Sequence, residues 1–444
     1  RVFENAFLEY GCMKSMTAPL NRKMYFLTDP IEDRAKDWLD YKINYQATFA
    51  AQLMYPMVDT YEVMPWPDRI YQGLYRIAGT DQKERIPRSY STQMQTMVNT
   101  LNDIRTSDKK ITGTQGIGVL MANSLMFQRF PNHNGYDDPQ FSSFYGQTLP
   151  LLKRGIPVEL VHMENTPFKE TFKGLHILVM SYSNMKPMKP EYHNYLADWV
   201  KKGGILIYCG EDIDPYQTVL EWWNTDGNEY KAPSEHLFEK MNLSRNPGEG
   251  TYRYGKGTVI VMREDPKHFV LKAGNDQKYF ETIASAYQKK IGKEIETKNS
   301  FIVERGPYTI AAVMDESVSK EPLTLSGLYI DLFDKDLPVL TSKQIQPGEQ
   351  GYLYDLNKVS GKIKAKVLCG ASRIYDEKVS KQSYSFVAKS PINTTNVSRV
   401  LLPRKPEKIR VNGKEEQPEW DESSKTLLLS FENDPAGVNV SIEW

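Results

Sequence analysis

The 444-residue sequence predicts an α/β chain that turns all-β towards its C-terminus. The expected parts are the C-terminal portion of a (β/α)8 barrel over residues 1–112, a doubly wound parallel sheet over 113–298, and an antiparallel β-sandwich over 299–444. Three observations carry this reading. The first hundred residues alternate helical and strand patterns but supply only two strand–helix units after a lone helix. The next stretch holds four short, continuously apolar runs. From about residue 299 helical spacing vanishes and short strands follow one another between Gly, Pro, Asn and Asp turns.

The opening "RVFENAFLEYGCMKSM" spaces Val2, Phe3, Phe7, Leu8 and Met13 as one face of a helix. "KMYFLTDP" is a short apolar run closed by Asp29-Pro30, the pattern of a buried parallel strand running into a turn. "DWLDYKINYQATFAAQLMYP" reads as a long helix stopped at Pro56, "TYEVMPW" as a second strand, and Tyr90 to Ser107 as a second full helix. Two such units cannot close a sheet. They fit the last quarter of an eight-stranded barrel, a fold of roughly 250 residues. A start that reads like the middle of a helix, with neither an initiator Met nor a signal-peptide pattern, marks the chain as a processed or truncated piece.

In the second part the strands are "GIGVLMAN", "PVELVHM", "HILVMSYS" and "GILIYCG", apolar throughout as strands buried on both faces are. Helices are expected at "FSSFYGQTLPLLKRG", "PEYHNYLADWVKKG", "PYQTVLEWWN" and "DQKYFETIASAYQKK", and "TYRYGKGTVIVM" is a hairpin turned at Gly255-Lys256-Gly257. The third part, from "YTIAAVMD" through "VNVSIEW", makes one sandwich or two small ones meeting near residue 362.

Lys plus Arg equals Asp plus Glu, 56 each, so no net field favours nucleic acid or an anionic membrane, and no apolar run suits membrane insertion. Cys12, Cys209 and Cys369 have no metal-ligand spacing, and no two of the six histidines stand at a zinc-binding interval. No glycine-rich phosphate loop is present, so no cofactor is expected. Asn242, Asn393, Asn396 and Asn439 begin N-x-[ST] triplets, a pattern common by chance. The 27 Tyr and 7 Trp supply a surplus of flat amphipathic rings of the kind that stack on sugars, and that also fill cores.

The site candidates cluster in "DTYEVMPWPDRIY", Asp59 to Tyr71. Catalytic groups of a barrel sit where strands end, because the loops there share one mouth. Glu62 lies on a strand-like run with Trp66 four residues on, a carboxylate to act at an anomeric carbon and an indole to stack on the sugar face. Tyr61 and Arg69 are the nearby binding candidates; the competing role for Glu62 is an ion pair with Arg69 or Arg76. Asp29 ends the preceding strand and is the second catalytic candidate, with Glu32 and Asp33 as binding residues at the same mouth or as acids at a helix N-terminus. In the second part, Ser181 and Ser183 stand where a strand breaks into a turn, yet no G-x-S-x-G frames them and His193 has no obvious partner acid. "NHNGYDDPQFSSFYG" and "GEDIDPYQTVLEWWN" rim the barrel mouth or, as with Trp222 and Trp223, pack between domains.

In order of parts, and in "TYEVMPWPDRIY", "LPLLKRGIPVELVHMEN", "ILVMSYSNMKP" and "LADWVKKGGILIYCG", the chain resembles the three-domain glycoside hydrolases similar to the family 42 β-galactosidases. The resemblance implies a glutamine-amidotransferase-like middle domain that serves trimerisation and a homo-oligomer, dimer or trimer. It also implies retaining hydrolysis of a β-glycoside such as a β-galactoside or β-mannoside, in the periplasm or outside the cell. It implies a glutamate acid/base after the fourth barrel strand, upstream of Arg1, and a glutamate nucleophile after the seventh. Counting back from the middle domain makes "KMYFLTDP" strand seven and puts the nucleophile near Asp29; a count shifted by one makes it Glu62. The chain alone is then expected to be inactive, and a degenerate carbohydrate-binding or scaffold protein is the alternative. Ser181-Tyr182-Ser183 stands where the amidotransferases carry Cys, so no amidotransferase chemistry is expected.

Overall fold

The computed structural model of the chain describes residues 1–28, 37–63, 68–125, 141–359 and 364–444. The first segment forms α1 (Val2–Thr17), β1 (Phe26–Thr28), α2 (Trp38–Leu53), β2 (Tyr61–Val63), α3 (Asp68–Tyr71), a small hairpin of β3 (Leu74–Arg76) and β4 (Lys83–Arg85), and α4 (Arg88–Thr100). Asp37 caps α2 by accepting the Asp40 backbone N–H at 3.0 Å. β1 and β2 pair in parallel, Phe26 with Tyr61, Leu27 with Glu62 and Thr28 with Val63. The rings of Tyr10 on α1 and of Tyr55, just past α2, pack on Phe26 at 4.7 and 5.8 Å, so the two helices cover one face of this pair.

The second segment builds a six-stranded sheet from β5 (Ile117–Met121), β6 (Glu159–His162), β7 (Ile177–Met180), β8 (Ile205–Cys209), β9 (Gly250–Tyr254) and β10 (Gly257–Met262). The order is β6-β5-β7-β8-β10-β9, parallel except for β9. The predicted hairpin therefore is not an appendage: its second strand extends the parallel sheet beside β8. Helices α5 (Ser142–Leu152), α6 (Glu191–Lys201), α7 (Pro233–Lys240), α8 (His268–Leu271) and α9 (Gln277–Ile291) accompany it. The expected helix "PYQTVLEWWN" is a short 3-10 turn, Pro215–Thr218, followed by bends. The β-branched Thr218 and Val219 beside the side-chain cap of Asp214 favour a turn over a continuing helix there. From β5 the chain goes to β6 on one side and then to β7 on the other, which places a topological switch at the C-terminal ends of β5 and β7.

The last segment contains two structures rather than one uniform sandwich. β11 (Ser300–Arg305), β12 (Tyr308–Val313), β13 (Leu323–Asp331), β14 (Val339–Ile345) and β15 (Gln350–Asp355) form a five-stranded antiparallel sheet. It lies against α2, where Phe49 meets Tyr352 of β15 at 5.5 Å, ring to ring, and Leu368, Cys369 and Leu401 from further along the chain join the same core. A strand face rich in Tyr308, Tyr352 and Tyr354 offers the area a helix needs to cover it. Beyond it come β16 (Lys366–Gly370), β17 (Arg373–Val379), β18 (Ser383–Lys389), β19 (Thr395–Leu401), β20 (Lys408–Val411), β21 (Lys414–Glu416), β22 (Glu419–Asp421), β23 (Thr426–Glu432) and β24 (Val438–Glu443). These make a four-stranded and a five-stranded antiparallel sheet around their own apolar core of Tyr384, Phe386, Leu427, Ile442 and Trp444.

Candidate functional site

The open face of the β1–β2 pair is the part of the molecule that Glu62 defines. Successive side chains on a strand leave opposite faces, so Tyr61 and Glu62 diverge. Tyr61 turns to the face covered by α1 and α2. Glu62 shares the other face with its register partner Leu27; Leu27 is 44% exposed and Glu62 is exposed as well. In a closed barrel the helix-free face is the inner one. Arg76, one proposed ion-pair partner of Glu62, instead lies 3.8 Å from Asp81.

Tyr61, expected to line a sugar site, is committed elsewhere. Its hydroxyl donates to the Val58 carbonyl at 2.7 Å and accepts from Arg305 at the end of β11. Burial pushes the phenol's pKa up, and the neighbouring guanidinium offsets part of that rise. Arg305 is itself 2% exposed and also donates to the carbonyls of Val58 (2.6 Å), Arg105 (3.0 Å) and Leu53 (3.4 Å). A cation held by carbonyl dipoles and one phenol thus ties the five-stranded sheet to the loop that leads into β2. No feature of the sequence pointed to Arg305, because its partners lie some 250 residues away and only folding brings them together.

Asp29, Glu32, Asp33 and Trp66 lie outside the described residues. Arg69 belongs to α3, but its side chain is outside them too.

The turn after β7 is fully described. Its left-handed residue is Asn184, with φ of 58°, not Ser181 or Ser183. Ser181 Oγ accepts the Ser183 backbone N–H at 3.0 Å, and Ser183 Oγ donates to Asp265 at 2.5 Å. Lys186, buried with Asp214, donates to that carboxylate and to the Tyr182 carbonyl, each at 2.6 Å; burial pulls its pKa down and Asp214 opposes the shift. His193 does not reach either serine: its Nε2 lies 2.5 Å from the Tyr182 hydroxyl and its Nδ1 lies 2.8 Å from Nδ1 of His236. A serine nucleophile needs a base within reach, and here the one imidazole on the nearby helix is spent on a structural chain. Cys209 is fully buried, which pushes its thiol far above the ordinary range and removes it as a nucleophile.

The aromatic residues of the two stretches expected to rim the barrel mouth or pack between domains divide. Trp223 is 1% exposed and donates to the Gln217 carbonyl at 3.0 Å, and Phe144 is 6% exposed, so both belong to the interior. Trp222 packs edge-on against His193 and His236 while donating to the Pro187 carbonyl at 2.8 Å.

No known family model matches the chain, and no curated protein does. Solved structures do. A β-galactosidase from Bacillus circulans sp. alkalophilus superposes with a TM-score of 0.44 and 12% identity over 80% of this chain and 58% of the other. A β-galactosidase from the haloarchaeon Halorubrum lacusprofundi gives 0.44 and 12%, over 79% and 56%. A family GH42 β-galactosidase from G. stearothermophilus gives 0.38 and 10%, over 71% and 50%. The chain spans 50–58% of the length of these enzymes, and over most of its own length it is similar in structure to β-galactosidases.

Proposed function

We propose that this chain is part of a glycoside hydrolase that acts on β-glycosides with retention, and that Glu62 is its nucleophile. The observation that carries the proposal is the placement of Glu62, exposed, on the face of a parallel strand pair that α1 and α2 do not cover, the face that in a barrel lines the site. Arg305 and Tyr61 fix the strand from behind, as a reacting carboxylate requires of its support. In such a mechanism one carboxylate attacks the anomeric carbon while a second, about 5–5.5 Å away, protonates the leaving oxygen. The chain's sequence resemblance to the family 42 enzymes assigns that acid/base to a strand other than β1 and β2. Glu62 is preferred to Asp29 because the resemblance implies a glutamate nucleophile, and residue 29 is an aspartate. The turn after β7 has no part in the chemistry, and the six-stranded sheet serves assembly and the shaping of the barrel mouth.

The test is a screen of aryl β-glycosides against the full-length protein and its Glu62→Gln variant. Hydrolysis by the wild type with at least a hundredfold loss of kcat in the variant supports the assignment. Equal turnover by the two proteins overturns it. Sugar binding without turnover by either leaves a carbohydrate-binding scaffold as the function.

A further inference from the structure

A second chemically distinctive cluster lies where α1 packs on the six-stranded sheet. Cys12 of α1 places its sulfur 3.3 Å from the Met121 thioether at the end of β5. Met121 and His162 are register partners on neighbouring parallel strands, so their side chains leave the same face of the sheet. That face is the one α1 packs on. Leu160, two residues before His162, abuts Gly11, and the His162 backbone N–H donates to Ser15 Oγ at 3.2 Å. His162 is 2% exposed, and among the described residues neither ring nitrogen has a hydrogen-bond partner. Nδ1 lies 3.9 Å from the Glu164 carboxylate, whose other oxygen accepts the Asn123 backbone N–H at 2.9 Å. Nε2 is left buried with no partner among the described residues, an arrangement that is costly unless a ligand supplies one.

We propose that Cys12, Met121 and His162 form a binding site for a soft monovalent cation, copper(I), with Glu164 orienting the imidazole. Among the described residues no three of His, Cys, Asp and Glu are grouped to hold a metal ion. The third donor here is a thioether, which suits copper(I) and not zinc or magnesium. The charges also allow it: copper(I) takes the place of the thiol proton, so binding leaves the net charge of the buried site unchanged. Binding breaks the Cys12 S–H bond, forms a copper–thiolate bond and releases the proton to solvent, with no change in oxidation state. Two sulfurs each about 2.3 Å from one ion stand roughly 4 Å apart, so the flexible Met121 side chain swings out by under about 1 Å to admit it. A carboxylate behind the distal nitrogen of a ligating histidine is the usual orienting device.

The experiment titrates copper(I), under anaerobic reducing conditions and against a competing chromophoric chelator, into the wild-type chain. The variants are Cys12→Ser, Met121→Leu and His162→Gln, with Cys209→Ser as a thiol control. One equivalent bound by the wild type and by the control, with dissociation constants at least tenfold higher in each of the three variants, is the expected result. Absence of binding, or binding that the three substitutions leave unchanged, overturns the proposal. X-ray absorption on the wild-type complex tests the site independently of how any variant folds. Two sulfur scatterers and one nitrogen are expected, and a shell of nitrogen or oxygen alone contradicts it.

Discussion

Burial of His193 favours its neutral form, and removing its titration should flatten the acid limb of stability. It sits fully buried between the Tyr182 hydroxyl and His236, with Trp222 against its edge. One self-consistent neutral arrangement has Tyr182 donate to Nε2, Nδ1–H of His193 donate to Nδ1 of His236, and His236 carry its proton on Nε2. A proton added to Nδ1 of His236 sets two N–H groups face to face. Burial pulls the pKa of His193 well down, with His236 and Lys240 acting in the same direction. Burial and Lys240 lower His236 too, opposed by Glu239 and Glu191. A lowered folded pKa means that the unfolded chain binds the proton more tightly. The stabilisation is therefore complete above the unfolded value near 6.5 and is lost as pH falls below it. For a histidine that stays neutral when folded, the loss at pH 5.5 relative to pH 7.5 is about 1.4 kcal/mol. His236 is partly buried and adds less. The assay is urea denaturation followed by tryptophan fluorescence, for wild type and His193→Gln, from pH 5.5 to 7.5. The destabilisation caused by the substitution should be largest at pH 7.5 and shrink by about 1.4 kcal/mol at pH 5.5. A difference independent of pH refutes the assignment of His193 as a neutral buried link.

Other outcomes follow from the same structure. Lys186→Met strands the buried Asp214 carboxylate and should cost about 3–5 kcal/mol in denaturation midpoint experiments, whereas a neutral pair, Lys186→Met with Asp214→Leu, should recover part of that. Arg305→Met removes the donors to Tyr61, Val58 and Arg105 and should destabilise by about 2–4 kcal/mol, read by the same denaturation. Ser181→Ala and Ser183→Ala should leave glycosidase activity of the full-length protein unchanged, and abolition of activity with the fold intact contradicts their structural role. Gly146→Ala sets a methyl group 1.8 Å from the Pro266 carbonyl oxygen, which forces α5 from α8 and should lower the melting temperature by several degrees in calorimetry.

What was legible in the sequence was what depends on local pattern. The four apolar runs are four strands of one parallel sheet because burial on both faces leaves no polar alternation to mistake. The position of Glu62 relative to Tyr61 follows from strand geometry alone. What was not legible depends on distant partners. "PYQTVLEWWN" has helical composition, but Trp222 and Trp223 find their hydrogen-bond acceptors at Pro187 and Gln217 in bent chain. The strands after residue 299 read as one sandwich or two small ones, and it takes the distant contact of Phe49 with Tyr352 to show that a helix packs on the first sheet. In the turn after β7 the serines stand out in the sequence, while the left-handed residue is Asn184, of a type that adopts this backbone readily.

The most direct measurement on the role of Glu62 is covalent trapping. The full-length protein is incubated with activated 2-deoxy-2-fluoro-β-glycosides of galactose and mannose, and the labelled peptide is located by mass spectrometry. A stable glycosyl ester on the peptide that contains Glu62, absent from Glu62→Gln, is the expected result. Label on another carboxylate, Asp29 included, in an enzyme that still hydrolyses the parent glycoside contradicts the assignment.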